Sequence, residues 1–404
     1  MITKAYVWLW LPGEIEPVVA GHIEARGELY EFTYGQSYRA RYNAIALSPY
    51  ELELKAGTFQ PTGMHRLHST LRDAAPDAWG RRVLCYRHGV VELSEIEYLL
   101  LSGSDRIGAL DFQASPTEYV PRNKTHPSLE ILMQAAERVE KRLPLPEELD
   151  YALLHGTSVG GARPKALIED NGRQYIAKFS SMTDSYDVVK AEYIAMRLGR
   201  LCGLNVPDVQ LVSTMGKDVL LVQRFDRDST EKGVLRKHML SGLSMLRLHE
   251  MEARYASYID FADQVRKWFD KPEATLHELF RRMVLNVLIG NTDDHARNHA
   301  AFWDGKNLSL SPAYDLCPQV RAGREATQAM EIGREGKLSS LTNVLSSCET
   351  FQLTRAGAKT IIADMIEMIQ AQWNNVCDEA SLGEAERNRI WGSAVFNPFV
   401  FQNW

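Results

Sequence analysis

Cysteine is scarce in this sequence, and the five present, Cys85, Cys202, Cys317, Cys348 and Cys377, are widely scattered. No Cys-x-x-Cys pair occurs, which excludes a zinc ribbon, and the odd, dispersed set excludes a disulfide framework. The composition is that of a reduced cytoplasmic protein. Long apolar runs are missing too: nothing approaches the roughly 18 residues needed to span a bilayer. The apolar start MITKAYVWLWLPG is too short for a secretory segment and reads as a first strand. Basic charge is not in excess. The net charge of -6 excludes a chain built as a whole to coat nucleic acid. There are no internal repeats and no low-complexity segments. Metal-protease spacing is absent, because LHEMEARY (248–255) lacks the second histidine of H-E-x-x-H, and His65, His68 and His88 have no ligand spacing.

What is present is ordinary globular material: 404 residues, 45% hydrophobic and 24% charged, enough for two or three domains. Residues 3–60 read as strands: KAYVWLWL, a hairpin in HIEARGELYEFTY turning at Gly27, and the alternating ELELKAGTF. Residues 69–102 look helical. The polar, proline-containing segment 115–127 reads as a linker, followed by a helix over 129–142. KALIED-NG-RQYIAKFS predicts two strands joined at Asn171-Gly172, where both turn positions tolerate positive φ. A helix follows over about 186–202, then the strand DVLLVQRFDR, and the chain is mostly helical from about 236. The expected fold class is α+β. A small N-terminal β-rich domain (1–120) precedes a protein-kinase-like bilobal fold. A strand-rich lobe (121–226) carries a Gly-rich loop, and a helical lobe (227–404) carries the chemistry.

That chemistry centres on IGNTDDHARNHAAFWDGKNLSLSPAYD, residues 289–315. An apolar segment runs into Asp293 and Asp294, with His295 and Asn298 close behind. The separation of Asp293 and Asn298 is that between the base and the metal-binding asparagine of a kinase catalytic loop. A carboxylate there orients or deprotonates an attacking hydroxyl. An amide oxygen and a second carboxylate, Asp315 at the end of a strand pattern, suit magnesium, a hard cation. A helix end capped by Asp293, with a solvated Asp294, explains the aspartates alone. The three residues together favour a metal site.

Upstream, Lys178 sits on a strand whose other face carries Tyr175, Ala177 and Phe179, as a phosphate-binding lysine does. Glu192 falls on the inward stripe of the next helix and needs a partner there, for which Lys178 is the candidate. Ahead of both, HGTSVGGARPKAL (155–167) combines Gly156, Gly160 and Gly161 with Arg163 and Lys165, a loop able to cradle phosphates without Walker spacing. VQRFDR (222–227) lies at the junction of the lobes, where a hinge offers backbone groups to an adenine.

In series, TSVGGARPKAL, IAKF, AEYIAMRLGRLCGLNVP, QRFDR, IGNTDDHARNHAAF and LSPAYD resemble the HipA family, serine/threonine kinase toxins of bacterial type II toxin–antitoxin systems. LRDAAPDAWGRRVL (71–84) and SDRIGALDF (104–112) resemble its small N-terminal domain. The resemblance implies ATP and Mg2+ as cofactors. Asp293 is then the catalytic aspartate and Asn298 and Asp315 the metal ligands. Lys178 contacts the ATP phosphates, and Gln223 and Phe225 the adenine through their backbone. Asp226, His295 and Tyr314 lie near the nucleotide, and Gly160, Gly161, Ala162, Arg163, Pro164 and Lys165 form the loop. Ser158 matches a regulatory serine, with Thr157 its neighbour. The implied partners are a small DNA-binding, HipB-like antitoxin, with DNA reached only through it, and a protein substrate of which an aminoacyl-tRNA synthetase is one class. No membrane is involved. Two other classes share features: a small-molecule kinase of aminoglycoside or choline type, and an inactive scaffold that binds antitoxin only.

Overall fold

The computed structural model describes residues 2–122, 127–146, 149, 157, 161, 163–170 and 172–404. The chain divides into two compact units. The first comprises Met1–Thr183, Val212–Leu240 and Phe302–Lys306; the second comprises Asp184–Leu211, Ser241–Ala301 and Asn307–Trp404.

In the first unit, β1 (Lys4–Trp10), β2 (Pro17–Arg26), β3 (Leu29–Tyr34), β4 (Thr58–Phe59) and β5 (Leu110–Gln113) form an antiparallel sheet ordered β4-β3-β2-β1-β5. The expected hairpin turns at Gly27, whose φ of 63° a side chain would disfavour. The inward residues Val7, Leu9, Ile23, Phe32 and Phe112 make its core with Leu71 and Leu99. The strand expected over 51–59 shrinks to Thr58–Phe59. The Tyr34 hydroxyl donates to the Leu52 carbonyl (2.6 Å) and accepts from the Leu47 N–H (2.8 Å), so a side chain, not a ladder, holds that segment. The helical stretch 69–102 breaks into Ser69–Asp73, Ala78–His88 and Glu95–Leu101, the last opened by a Ser94–Glu97 capping box.

A second sheet contains β6 (Lys165–Asp170), β7 (Arg173–Phe179), β8 (Val209–Thr214) and β9 (Lys217–Gln223), ordered β6-β7-β9-β8. Gly172 turns the β6–β7 hairpin with φ 72°, and Asn171 lies outside the described residues. The core beneath this sheet joins Tyr175, Ala177, Phe179, Val219 and Leu221 to Leu132, Ala136 and Val139 of the helix Leu129–Glu140. It also takes in Trp79 and Val83, so the segment before residue 120 contributes directly to the strand lobe's core. The expected linker is likewise packed at its start. Arg122 donates to the carbonyls of Ser102 (2.7 Å) and Phe112 (2.8 Å) and to Asp111 (2.6 Å), and Tyr119 packs its ring on Trp8 and Trp10.

His238 is buried in this unit with Nε2 2.7 Å from the Leu47 carbonyl. Burial lowers its pKa to about 4, and the hydrogen bond offsets this only in part. The unfolded imidazole gains its proton near pH 6.5 and the folded one does not, so stability is lost as pH falls from about 6.5 to about 4. Between about pH 7 and pH 5 this group alone should cost about 2 kcal/mol. Urea melts at the two pH values check it: His238→Gln should flatten the difference by that amount.

The second unit is mostly helical, with Val188–Leu201, Tyr258–Trp268, Pro272–Leu288 and Arg355–Glu379 as its long helices. Proline opens Pro272–Leu288, where no intrahelical N–H is needed, and Leu276, Leu279, Phe280, Met283, Val284, Val287 and Leu288 bury it. The C-terminal amphipathic segment 363–373 lies within Arg355–Glu379 and is joined to Val188–Leu201 by the Arg197–Glu379 pair (2.9 Å). All five cysteines are free thiols. Among the described residues, no helix is long and apolar enough to cross a membrane.

Candidate functional site

The buried helix Pro272–Leu288 ends in a way that shapes the loop after it. Gly290 takes φ 68°, and a Cβ there would sit 2.5 Å from the Ala394 carbonyl oxygen, so only glycine fits. Its own carbonyl accepts the Gln319 N–H at 3.0 Å. Beyond it the chain folds on itself: the His295 N–H donates to the Asp293 carbonyl (2.8 Å) and the Asn298 N–H to the His295 carbonyl (2.8 Å). The Asn298 side-chain amide donates to the Asp293 carbonyl at 3.2 Å. With its nitrogen so engaged, the side-chain oxygen is the atom Asn298 could offer to a cation. Asp293 itself is exposed at the tip, while Asn298 is buried.

The segment bearing Asp315 returns to this loop. The Ser311 N–H donates to the Ala300 carbonyl (2.9 Å), and the Tyr314 hydroxyl donates to the Arg297 carbonyl (2.6 Å). These bonds tie the segment bearing Asp315 to the loop bearing Asn298. Asp315 takes φ 59°, a left-handed conformation that aspartate and asparagine tolerate best after glycine. Such strain at a half-buried carboxylate is a mark of a functional position. The donor set, one amide oxygen and one carboxylate, is all oxygen and suits a hard cation such as Mg2+. His295 is half-buried, and its Nδ1 has no hydrogen-bond partner among the described residues.

Asp294 is not the solvated neighbour that a simple helix cap predicts. It is buried, and its carboxylate accepts from the Tyr258 hydroxyl (2.5 Å) and lies 2.9 Å from His299 Nε2. The Asn286 amide reaches the Tyr258 hydroxyl (3.5 Å) and is itself joined to Asn291 (3.0 Å). Burial, then the adjacent Asp294, push the Tyr258 phenol well above its ordinary pKa, so it stays a donor. This network fastens the loop from beneath.

The other predicted residues lie in the first unit, Glu192 excepted. Lys178 is half-buried on β7, with Tyr175, Ala177 and Phe179 inward as expected. The β6–β7 register sets Lys165 directly opposite Lys178. Arg163 is exposed and Pro164 buried, its carbonyl accepting the Phe179 N–H at 3.1 Å. Gly161 takes φ 115°; its N–H donates to the Asp77 carboxylate (2.8 Å) and its carbonyl accepts the Trp79 N–H (3.2 Å). Thr157 is fully buried, its hydroxyl accepting the Gly103 N–H (3.1 Å). Ser158, Gly160 and Ala162 lie outside the described residues. In the second unit, Glu192 is buried in the helix Val188–Leu201.

Gln223 ends β9 opposite Tyr175, and Phe225 packs edge-on against Phe302. Asp226, expected near a nucleotide, is otherwise employed. It is buried, accepting from Arg224 (3.0 and 2.9 Å), Arg227 (2.9 Å) and the Gly108 N–H (2.7 Å). Burial alone would raise its pKa, but Arg224 and Arg227 outweigh it and hold the carboxyl at about 2. Its oxygens are committed to protein groups, which makes it a support of the segment and not an open ligand.

Residues 157–373 match the HipA-like C-terminal domain family, and residues 14–113 match the HipA N-terminal domain. The chain belongs to the HipA family. The serine/threonine-protein kinase toxin HipA of Shewanella oneidensis is 25% identical over 268 residues, and the chain spans 60% of that relative's length. A solved Shewanella oneidensis HipA, in a complex with HipB and operator DNA, superposes with a TM-score of 0.71 at 20% identity over 96% of both chains. The fold is therefore the kinase-like bilobal α+β fold of HipA proteins.

In this HipA-family chain, sequence reasoning missed the supports of the site. Tyr258, Asn286, Asn291 and His299 carry no spacing that marks them, and they meet Asp294 only through tertiary packing. Asp77 and Asp105 were legible only as members of family-like segments; one holds Gly161, and the other sits against Arg224 at 2.8 Å.

Proposed function

We propose that this protein is an ATP- and Mg2+-dependent protein serine/threonine kinase, the toxin of a type II toxin–antitoxin pair. The observation that carries the reading is the Asn298 amide donating to the Asp293 carbonyl while Tyr314 ties the Asp315 segment to Arg297. Those bonds support a reading in which Asp293, Asn298 and Asp315 serve one site. Asn298 and Asp315 hold the cation, and Lys165 and Lys178 hold phosphate oxygens, with Glu192 as the ion-pair partner of Lys178. Bound Mg2+ offsets the charge on the phosphates. Gln223 and Phe225 offer backbone groups to the adenine, and His295 and Tyr314 border the nucleotide. Asp293 receives the proton of the attacking serine hydroxyl as its oxygen bonds to the γ-phosphorus and ADP leaves. The family supplies the partners: a HipB-like antitoxin that itself contacts DNA, and a protein substrate.

Autophosphorylation of Ser158 would limit the activity, since a phosphate of about -1.5 to -2 charge competes with ATP for the loop and for Arg163 and Lys165. Thr157 is the poorer acceptor, because its hydroxyl is buried against the Gly103 N–H. Intact-mass spectrometry after incubation with Mg·ATP tests the activity, and phosphosite mapping the switch. A phosphoryl group is expected on Ser158 and none on Thr157. A protein that neither gains mass nor consumes ATP overturns the kinase reading. Phosphate confined to Thr157 overturns the switch.

A further inference from the structure

The segment Gln223–Arg227 is tied to the N-terminal domain by a buried cluster of charges within the first unit. Asp105 pairs with Arg224 (2.8 Å) and Arg227 (2.9 Å). The Arg106 carbonyl accepts from Arg224 (2.7 Å) and from Arg227. Gly108 donates its N–H to Asp226 (2.7 Å) and accepts from Arg227 (2.8 Å). The side chains of Arg224, Asp226 and Arg227 are at most 3% exposed. Arg236 borders the cluster, donating to the Ser104 carbonyl (3.1 Å) and lying 3.6 Å from the centre of the Trp10 ring.

The cluster sets three guanidinium groups, Arg224, Arg227 and Arg236, against two carboxylates. Asp226 belongs to the segment it stabilises. Asp105 does not: among the described residues it is the carboxylate that the N-terminal domain brings to the cluster, and both arginines share it. Burial opposes its charge, but Arg224, Arg227 and Arg236 outweigh that and hold its carboxyl well below the usual range. On the sheet side, Gln223 pairs with Tyr175 and the Arg224 N–H donates to the Gln174 carbonyl (2.8 Å). On the far side, the Lys237 N–H donates to the Asp226 carbonyl (3.0 Å). Phe225 thus stands between two pinned residues.

We propose that Asp105 is a positioning residue for base recognition: it acts through Arg224 and Arg227 to fix the backbone of Gln223–Phe225 where it meets the purine. This rests on the nucleotide-binding reading above. The N-terminal domain then sets which base the cleft accepts, without touching the nucleotide. Removing the Asp105 charge leaves two buried guanidinium groups sharing one carboxylate, and the segment must relax to separate or hydrate them.

Titration calorimetry of the full chain with Mg·ATP and with Mg·GTP tests this. Asp105→Asn should weaken ATP binding about tenfold and change GTP binding less than about threefold, narrowing the preference between bases. Asp105→Glu, which keeps the charge, should recover most of the preference. If Asp105→Asn does not fold, judged by its melting curve, the charge-balanced pair Asp105→Asn with Arg227→Gln takes its place and should show the same narrowing. A folded variant that keeps wild-type affinity for ATP, or that loses ATP and GTP equally, overturns the proposal while leaving the nucleotide site intact. A wild-type chain that binds no Mg·ATP overturns the nucleotide reading itself.

Discussion

Asp293→Asn should abolish phosphoryl transfer while leaving Mg·ATP bound, whereas Asp315→Asn should lose both. The two carboxylates sit differently in the fold. Asp293 is exposed at the tip of its loop, and its carbonyl, not its side chain, accepts the Asn298 amide. Exchange for asparagine therefore keeps the loop bond and, on the proposed reading, removes the proton acceptor, a group used mainly in the transition state. A loss of about 100- to 10,000-fold in turnover is the usual scale for such a group, with nucleotide affinity nearly unchanged. Asp315 holds a left-handed backbone, φ 59°, that asparagine tolerates as well as aspartate does, so Asp315→Asn should fold normally. On the proposed reading it loses a charged cation ligand, and affinity for Mg·ATP should fall about tenfold or more. Calorimetric titration with Mg·ATP, alongside turnover, separates the two. Equal loss of affinity in both variants would defeat this division of roles.

Local signals foretold most elements because local chemistry fixes them. The β2–β3 and β6–β7 turns were readable from glycines that take positive φ, and the inward face of β7 from simple alternation. The strand expected over 51–59 failed because its alternation is satisfied by Tyr34 bridging Leu47 and Leu52, a tertiary event no window of sequence displays. The packing of the N-terminal segment into the strand lobe's core was not legible for a related reason. Trp79 and Val83 sit in a helix whose apolar face is ordinary, and nothing in its pattern says which core it enters. At the site, the candidate residues were picked out by residue type and spacing, which chemistry restricts. The residues that hold them were not, since packing restricts only shape and polarity.

Asp294, read from the sequence only as a solvated neighbour, should matter more for stability than the residues chosen for their chemistry. Asp294→Ala is expected to destabilise the second unit by about 3–5 kcal/mol, the scale for removing one member of a buried charged group. The substitution removes the carboxylate shared by the Tyr258 hydroxyl and His299 Nε2, in a site where both are buried. Water does not readily replace it, and the 3.2 Å contact between that hydroxyl and Nε2 compensates their desolvation only in part. Asp294→Asn should cost less, because the amide oxygen can still accept from Tyr258. Adding Tyr258→Phe to Asp294→Ala should cost less than the sum of the single changes, since it removes the hydroxyl whose carboxylate acceptor the first change took away. Urea unfolding of the single and double variants reads these differences. Asp294→Ala should also lower turnover in the fraction that stays folded, because Asp293 and Asn298 share the loop that Asp294 fastens. Strict additivity would mean that Asp294 and Tyr258 do not act as one unit, and a cost under about 1 kcal/mol would mean that the loop is held from elsewhere.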